Sequence, residues 1–362
     1  MAKFLLFTLE YPPFKGGIAN YYENIVKYFP GKELAVLHDN DGRLINDKLP
    51  FLKWLPAVLA LWRRVRAEKI EQVLVGHLLP LGTAALAVKI FLKFEYSVIL
   101  HGMDLGMALA RPRKKRLARL ILKNAACVIA GNRFTADLAV GLTGQPEKIQ
   151  VVNPGVEADR PVSGKERLQE LKNKFGLQNE TVLLTVGRLV RRKGADMVIK
   201  SLPYVLEKMP AVRYFIVGNG PDYGYLKQKI DKYGLAGAVM IVTDADDGER
   251  NCWYDLCDIF LMPARAEGGN FEGFGIVYLE ANIAGKPVIA GRSGGVPDAV
   301  LDGATGVLVN PNDKHEIAEA IIRLVSDREL RERLGRQGRA RALEEFSWPG
   351  QVEKIYNLIN NL

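Results

Sequence analysis

The chain has 362 residues, of which 48% are hydrophobic and 25% charged, with a formal net charge of +9. This composition suits a soluble globular protein, and the length exceeds one ordinary core, so two domains are expected. No uninterrupted apolar run is long enough to span a bilayer, and the three cysteines form no CxxC pair, which argues against a disulfide framework or a zinc site.

Met1 to Thr8 reads as a first strand; its apolar run is too short for a signal peptide, and Glu10 and Pro12 follow at once. Further strands are expected at Leu34–His38, Gln72–Gly76, Ser97–Leu100, Cys127–Ala130 and Ile149–Val152, with helical patterns between them, as at Ala19–Tyr28 and Gly82–Leu92. The Pro- and Gly-rich stretch from Asn153 to Gly164 reads as a linker. After it the alternation restarts at Val182–Val186, Tyr214–Val217, Val239–Val242, Ile259–Met262, Pro287–Ala290 and Gly306–Val309. Glu329–Glu345 reads as a charged surface helix and Trp348–Leu362 as a separate amphipathic one. Strands separated by helices mean βαβ units and parallel sheets covered on both faces. The fold class is therefore α/β, two Rossmann-like parallel-sheet domains facing across a cleft, with ligands at the C-terminal ends of the strands.

The segment from Glu272 to Glu280, Glu-Gly-Phe-Gly-Ile-Val-Tyr-Leu-Glu, carries the most chemistry. A helix starting near Gly275 would place Glu280 on it and Glu272 on the loop before it, and the N–H groups of Phe274, Gly275 and Ile276 would point outward. Such a helix N-terminus suits a diphosphate. One acid could then reach a sugar and the other a ribose. Gly187-Arg188-Leu-Val-Arg191-Arg192-Lys193-Gly194 follows a strand, and Arg188 and Lys193 are spaced to reach one diphosphate. Arg191 and Arg192 read as surface residues. Gly16 and Gly17 follow the first strand; they either let the backbone approach a phosphate or make a plain turn. No GxGxxG is present there, which disfavours a dinucleotide oxidoreductase. His101 ends a strand and could hydrogen-bond a sugar hydroxyl or a phosphate, or be structural. The glycines of Gly291 to Pro297 could line the same pocket or begin a helix. Asp244-Ala-Asp246-Asp247 has the look of a metal-binding DxD but reads as an acidic loop after a strand.

Arg111 to Lys123 carries seven cations and no acid. Upstream, Trp54, Leu55, Val58, Leu59, Trp62 and Val65 recur at helical spacing beside Arg63, Arg64 and Arg66. Either segment could be core packing with a solvated face; together they suit a helix lying on an anionic membrane surface. No aromatic platform interleaves the cations, so nucleic acid is not expected.

These residues together resemble the GT-B glycosyltransferases of family 4, over nearly the whole chain. The run Met262 to Ala281 and the run Pro287 to Gly295 are especially similar to mannosyltransferases that act on phosphatidylinositol mannosides. The resemblance implies retaining transfer from a nucleotide diphosphate sugar, with no metal and no cofactor beyond that donor. It implies that Arg188 and Lys193 neutralise the leaving diphosphate, that Gly16 and Gly17 close on it and that Glu280 holds the ribose. Glu272 would hold the transferred sugar's hydroxyls and His101 would contact the sugar near the reacting carbon. The closing helix is expected to pack on the first domain. That gives a domain of residues 1–155 completed by 348–362, which faces acceptor and membrane, and a donor domain of residues 156–347. The implied function is transfer of mannose from GDP-mannose to a lipid-linked or membrane-proximal acceptor, on the cytoplasmic face of the cell membrane. A UDP-sugar enzyme or epimerase of the same fold, and a non-catalytic nucleotide-sugar-binding module, stay open. In the loop that would contact the base, Thr243-Asp-Ala-Asp-Asp-Gly stands where relatives commonly have a Gly-Arg-type turn.

Overall fold

A computed structural model of the protein describes residues 4–14, 16–32, 34–49 and 52–362. The chain divides into two compact units, residues 1–155 with 348–362, and residues 156–347.

The first unit runs β1 (Phe4–Phe7), α1 (Gly17–Tyr28), β2 (Leu34–Leu37), α2 (Leu55–Glu68), β3 (Gln72–Val75), α3 (Leu81–Lys89), β4 (Glu95–Leu100), α4 (Met103–Leu109), α5 (Pro112–Asn124), β5 (Cys127–Ala130), α6 (Arg133–Thr143) and β6 (Ile149–Val151). Its strands form one six-stranded sheet in the order β2-β1-β3-β4-β5-β6, parallel throughout. Apolar, largely β-branched strands such as Cys127-Val-Ile-Ala are buried on both faces, as parallel sheets require. The second unit runs α7 (Lys165–Lys174), β7 (Thr181–Val186), α8 (Ala195–Lys208), β8 (Val212–Val217), α9 (Tyr223–Lys232), β9 (Val239–Val242), α10 (Asp247–Leu256), β10 (Ile259–Met262), α11 (Ile276–Ile283), β11 (Val288–Gly291), α12 (Val296–Ala299), β12 (Gly306–Val309), α13 (Lys314–Ser326) and α14 (Arg328–Glu345). Its sheet, also parallel, has the order β12-β11-β10-β7-β8-β9. The last helix, α15 (Trp348–Asn360), returns to the first unit and packs on α1. There Trp348 meets Tyr21 edge-on at 5.5 Å, and Tyr356 sits against Phe4 and Phe29.

In each sheet the strand order reverses once, between β1 and β3 in the first unit and between β7 and β10 in the second. The loops leaving the strands on either side of such a point diverge and open a crevice, which is where an open α/β sheet takes its ligand.

Two readings that the sequence leaves open narrow, and one expectation changes. The apolar stripe of 54–65 divides: Leu61 and Val65 are in the core, Val58 and Trp62 pack against it, and Leu55 and Leu59 are exposed. Most of the stripe is therefore packing, and Arg66 stacks on Trp62 at 5.3 Å. In α5 the apolar face Ala118, Ile121 and Leu122 is likewise buried, while Arg111, Arg113, Lys114, Lys115, Arg116 and Arg119 are exposed. Among the described residues none of the cations of 111–123 forms an ion pair. Finally, α14 is not simply a surface helix: Leu330, Leu334, Gly335, Gly338 and Ala342 are buried. A Cβ at Gly335 would stand 2.1 Å from the Gly285 carbonyl oxygen just past α11, and one at Gly338 would meet the Asn282 side chain at 2.4 Å.

The α14 glycines give a sign test. Helix propensity alone favours alanine over glycine by about 1 kcal/mol. At Gly335 the collision is with backbone, so overpacking should win, and Gly335→Ala should destabilise by about 1–3 kcal/mol. Thermal denaturation of the two proteins checks this; a raised Tm would mean that α14 does not pack so closely.

Candidate active site

The site in the second unit is built by the two loops flanking the β7/β10 reversal. After β7, Gly187 has φ 144° and the chain turns through Arg188 into a 3-10 turn at Arg191–Lys193, which ends at Gly194 with φ 80°. A Cβ on Gly194 would stand 2.1 Å from the Pro263 carbonyl oxygen, so glycine lets this turn lie directly on the loop that leaves β10. The Arg265 amide donates to the Arg192 carbonyl at 2.9 Å, and the Arg265 guanidinium pairs with buried Asp196 at 2.8 and 3.2 Å. Two irregular loops are thus fastened to each other by backbone and by a neutralised ion pair.

On that frame sits Glu272, only 8% exposed. Its Oε2 accepts from the Lys193 ammonium at 2.9 Å and is in close contact with the Arg192 guanidinium. Burial pushes the Glu272 carboxyl upward, but Lys193 and Arg192 outweigh it and hold the carboxyl below its ordinary range. The Glu272 backbone is held as well: its carbonyl accepts from the Gly295 amide at 3.0 Å, and a Cβ on Gly294 would meet that carbonyl at 2.5 Å. The glycine turn after β11 therefore supports the Glu272 loop from behind. Gly275, at φ 79°, precedes α11 with no side-chain cap, so the first amides of α11 have no intrahelical acceptor. Its missing Cβ admits the Tyr278 ring, whose hydroxyl donates to the Met262 carbonyl at 2.7 Å.

Arg188 is exposed, lines the same small pocket at the end of β7 as Lys193, and has no ion-pair partner among the described residues. Glu280 lies on α11, where Tyr254 of α10 donates to its Oε2 at 2.6 Å. The acidic loop after β9 has structural duties: Asp246 caps α10 through the Glu249 amide at 2.7 Å, and Asp247 pairs with Arg250. Among the described residues no group of three or more His, Cys, Asp and Glu is placed to hold a metal ion.

The remaining expected residues belong to the first unit. Gly16 has extended backbone that any residue adopts, and a Cβ at Gly17 would meet nothing within 4 Å. Neither glycine is needed by the fold itself. His101 follows β4 and hydrogen-bonds Tyr22.

Two family descriptions match the chain, Glycosyltransferase Family 4 over residues 15–160 and Glycosyl transferases group 1 over residues 168–341. A GDP-mannose-dependent alpha-(1-6)-phosphatidylinositol monomannoside mannosyltransferase from Mycolicibacterium smegmatis is 30% identical, and the match covers 98% of each chain. This chain belongs to family 4 of the glycosyltransferases. Its architecture is GT-B: HepE from Anabaena, solved with UDP and glucose, superposes with a TM-score of 0.81 at 20% identity, covering 99% of this chain and 100% of that one. Sucrose-phosphate synthase from Thermosynechococcus elongatus does so with a TM-score of 0.79 at 19% identity, covering 99% and 98%.

For this family 4 glycosyltransferase the structure corrects one reading of the sequence. Arg192 is not a surface cation but a partner of the buried Glu272 carboxylate. Asp196, Arg265 and Tyr254 are further supports that sequence reasoning missed. Asp196 had a signal, an acid in the first turn of a helix directly after a run of cations; Tyr254 had none.

The Glu272 carboxyl makes a pH prediction. Its folded-state pKa is depressed below the ordinary 4.5, so its contribution to stability is present above that value and is lost as pH falls through the folded one. Denaturation of wild type and Glu272→Gln between roughly pH 7 and pH 3 should show a gap that is widest at neutral pH and closes on acidification. A gap that widens in acid would mean that the ion triad does not hold the carboxyl down.

Proposed function

We propose that this glycosyltransferase is a retaining, metal-independent mannosyltransferase that takes mannose from GDP-mannose to a lipid-linked or membrane-proximal acceptor. The observation that carries the reading is the charge balance at the β7/β10 reversal. Arg188, Arg192 and Lys193 stand against the single carboxylate Glu272, because Asp196 is spent on Arg265. That leaves a surplus of two positive charges, which matches the two ionised phosphates of a nucleotide diphosphate sugar. The uncapped start of α11 adds amides for the same oxygens.

The chemistry follows from that placement. Arg188 and Lys193 stabilise the charge that grows on the phosphate oxygen as the bond from the sugar's anomeric carbon to it breaks. The acceptor oxygen forms its bond to that carbon from the same face, and its proton passes to the departing phosphate oxygen. Arg192 stays on Glu272 and frees Lys193 for the diphosphate, while Glu272 accepts hydrogen bonds from the sugar's hydroxyls. Glu280, aimed by Tyr254, holds the ribose. The donor follows the mycolicibacterial relative, whose name states GDP-mannose dependence; a UDP-sugar is the alternative, since HepE was solved with UDP and glucose.

Nucleotide release measured with GDP-mannose, UDP-glucose and UDP-N-acetylglucosamine, with and without membrane lipid, tests the reading. Turnover is expected with GDP-mannose, and none with any donor would sink it. Glu272→Ala should lower kcat by about a hundredfold or more with modest loss of nucleotide affinity, whereas Lys193→Ala should weaken both. Full rate in the Glu272 variant would remove its assigned role.

The acceptor side rests on α5 and its neighbour. Six exposed cations on and just before α5 lie beside exposed Leu120 and, on α4, Met103 and Met107. No helix among the described residues is long and apolar enough to cross a membrane. The reading is therefore surface attachment to an anionic leaflet at the cytoplasmic face. Charge reversal at Lys114, Lys115 and Arg116 should abolish sedimentation with anionic liposomes at low salt; unchanged binding would refute the attachment.

A further inference from the structure

We propose that Tyr22 locks His101 as the Nε2–H tautomer, so that His101 offers Nδ1 as a neutral acceptor to a ligand hydroxyl and does not serve as a cation for phosphate. The Tyr22 hydroxyl is buried between two groups. Its oxygen lies 2.5 Å from the Gly76 carbonyl oxygen and 2.7 Å from His101 Nε2. A carbonyl only accepts, and a hydroxyl has one proton to give. If that proton went to the imidazole, two oxygen lone pairs would face each other at the Gly76 contact. The proton therefore goes to Gly76, and Tyr22 must accept from His101. Nε2 carries the hydrogen, and in the neutral ring Nδ1 keeps its lone pair.

The surroundings keep the arrangement fixed. A Cβ at Gly76 would stand 2.7 Å from Tyr22 Cζ and Oη, so glycine is what admits the hydroxyl to this carbonyl. Burial holds the Tyr22 phenol well above its ordinary pKa, so the proton is always present. Tyr21 meets the imidazole edge-on at 5.0 Å. Burial, with a smaller contribution from His77, lowers His101 to about 3. The titratable groups around it are Tyr21 and Tyr22 of α1, His77 after β3, Asp104 of α4 and, 3.9 Å from His77, Glu10 after β1.

Asp104 adds acceptors to this corner. Asp104 Oδ1 takes the Gly102 and Leu105 amides at 3.0 and 2.9 Å, while its Oδ2 is buried without a hydrogen-bond partner. His101 and Asp104 share the turn from β4 into α4 beside the β1/β3 reversal, so this corner of the first unit selects a hydroxyl donor, as on a sugar or other polyol. The identity of the ligand rests on the sugar-transfer reading; the tautomer does not.

Long-range proton–nitrogen correlation on protein labelled at histidine nitrogen, with His101→Gln to assign the signals, reads the tautomer directly. Wild type should show Nε2 protonated, Nδ1 bare and no titration of His101 between roughly pH 5 and 8. GDP-mannose should shift Nδ1 and GDP alone should not. Tyr22→Phe should mix the two tautomers and lower kcat about tenfold. A proton on Nδ1, an imidazolium in that range, a shift with GDP alone or with neither ligand, or an unchanged tautomer in Tyr22→Phe would each overturn the proposal. If that variant does not fold, the wild-type spectra decide. Absence of turnover with every donor while the tautomer stands would remove the sugar-transfer reading and leave the lock intact.

Discussion

One carboxylate shared by two cations organises the second unit's site. Arg191, Arg192 and Lys193 are consecutive, and without a counter-charge they would repel one another at the end of β7. Glu272 reaches them from the β10 side, and Arg191 is drawn off over the Tyr225 ring at 3.7 Å. Taking a carboxylate out of water is costly, and the cost is met only where partners and hydrogen bonds are complete. Here two cations, Lys193 and Arg192, meet on one carboxylate oxygen, and Gly295 holds the backbone carbonyl behind it. The same contact therefore fixes the geometry of two loops and sets the local charge.

The contact exists because glycines let backbones touch. Gly194 lies on Pro263 and Gly294 lies on the Glu272 carbonyl, each at a positive φ and each where a side chain would collide with backbone. These close approaches hold the backbones of the two loops against each other before any ligand arrives. That is the condition under which fixed cations lower a barrier instead of merely binding.

Much of this was legible in the sequence, for a physical reason. Apolar runs in a parallel sheet are buried on both faces, so strands such as Cys127–Ala130 and Ile259–Met262 appear as unbroken hydrophobic words with the boundaries the structure shows. The helix start at Gly275 and the loop position of Glu272 follow from glycine and capping rules. Arg192, Asp196, Arg265 and Tyr254 were not legible in their roles, because each acts through a partner 26 to 80 positions away, which no local pattern encodes. The face of α14 was hidden for another reason: its contact residues include glycines, which carry no hydrophobic signal at all.

The two strand-order reversals sharpen what topology does and does not decide. Both units present diverging loops at the same place in the sheet, yet one reversal is lined by cations around a carboxylate and the other by a neutral imidazole, a tyrosine and carboxylates. Place is set by the fold; chemistry is set by the side chains there. The same separation applies to the bulk charge. The loops at the β7/β10 reversal account for a surplus of two charges, whereas the run through α5 holds seven cations without an acid, against a net +9 for the whole chain. The excess that first pointed to an anionic partner therefore belongs chiefly to the outer surface of the first unit. The charge at the β7/β10 reversal would persist even if that surface were neutralised, because its cations and their one carboxylate all belong to the second unit's own two loops.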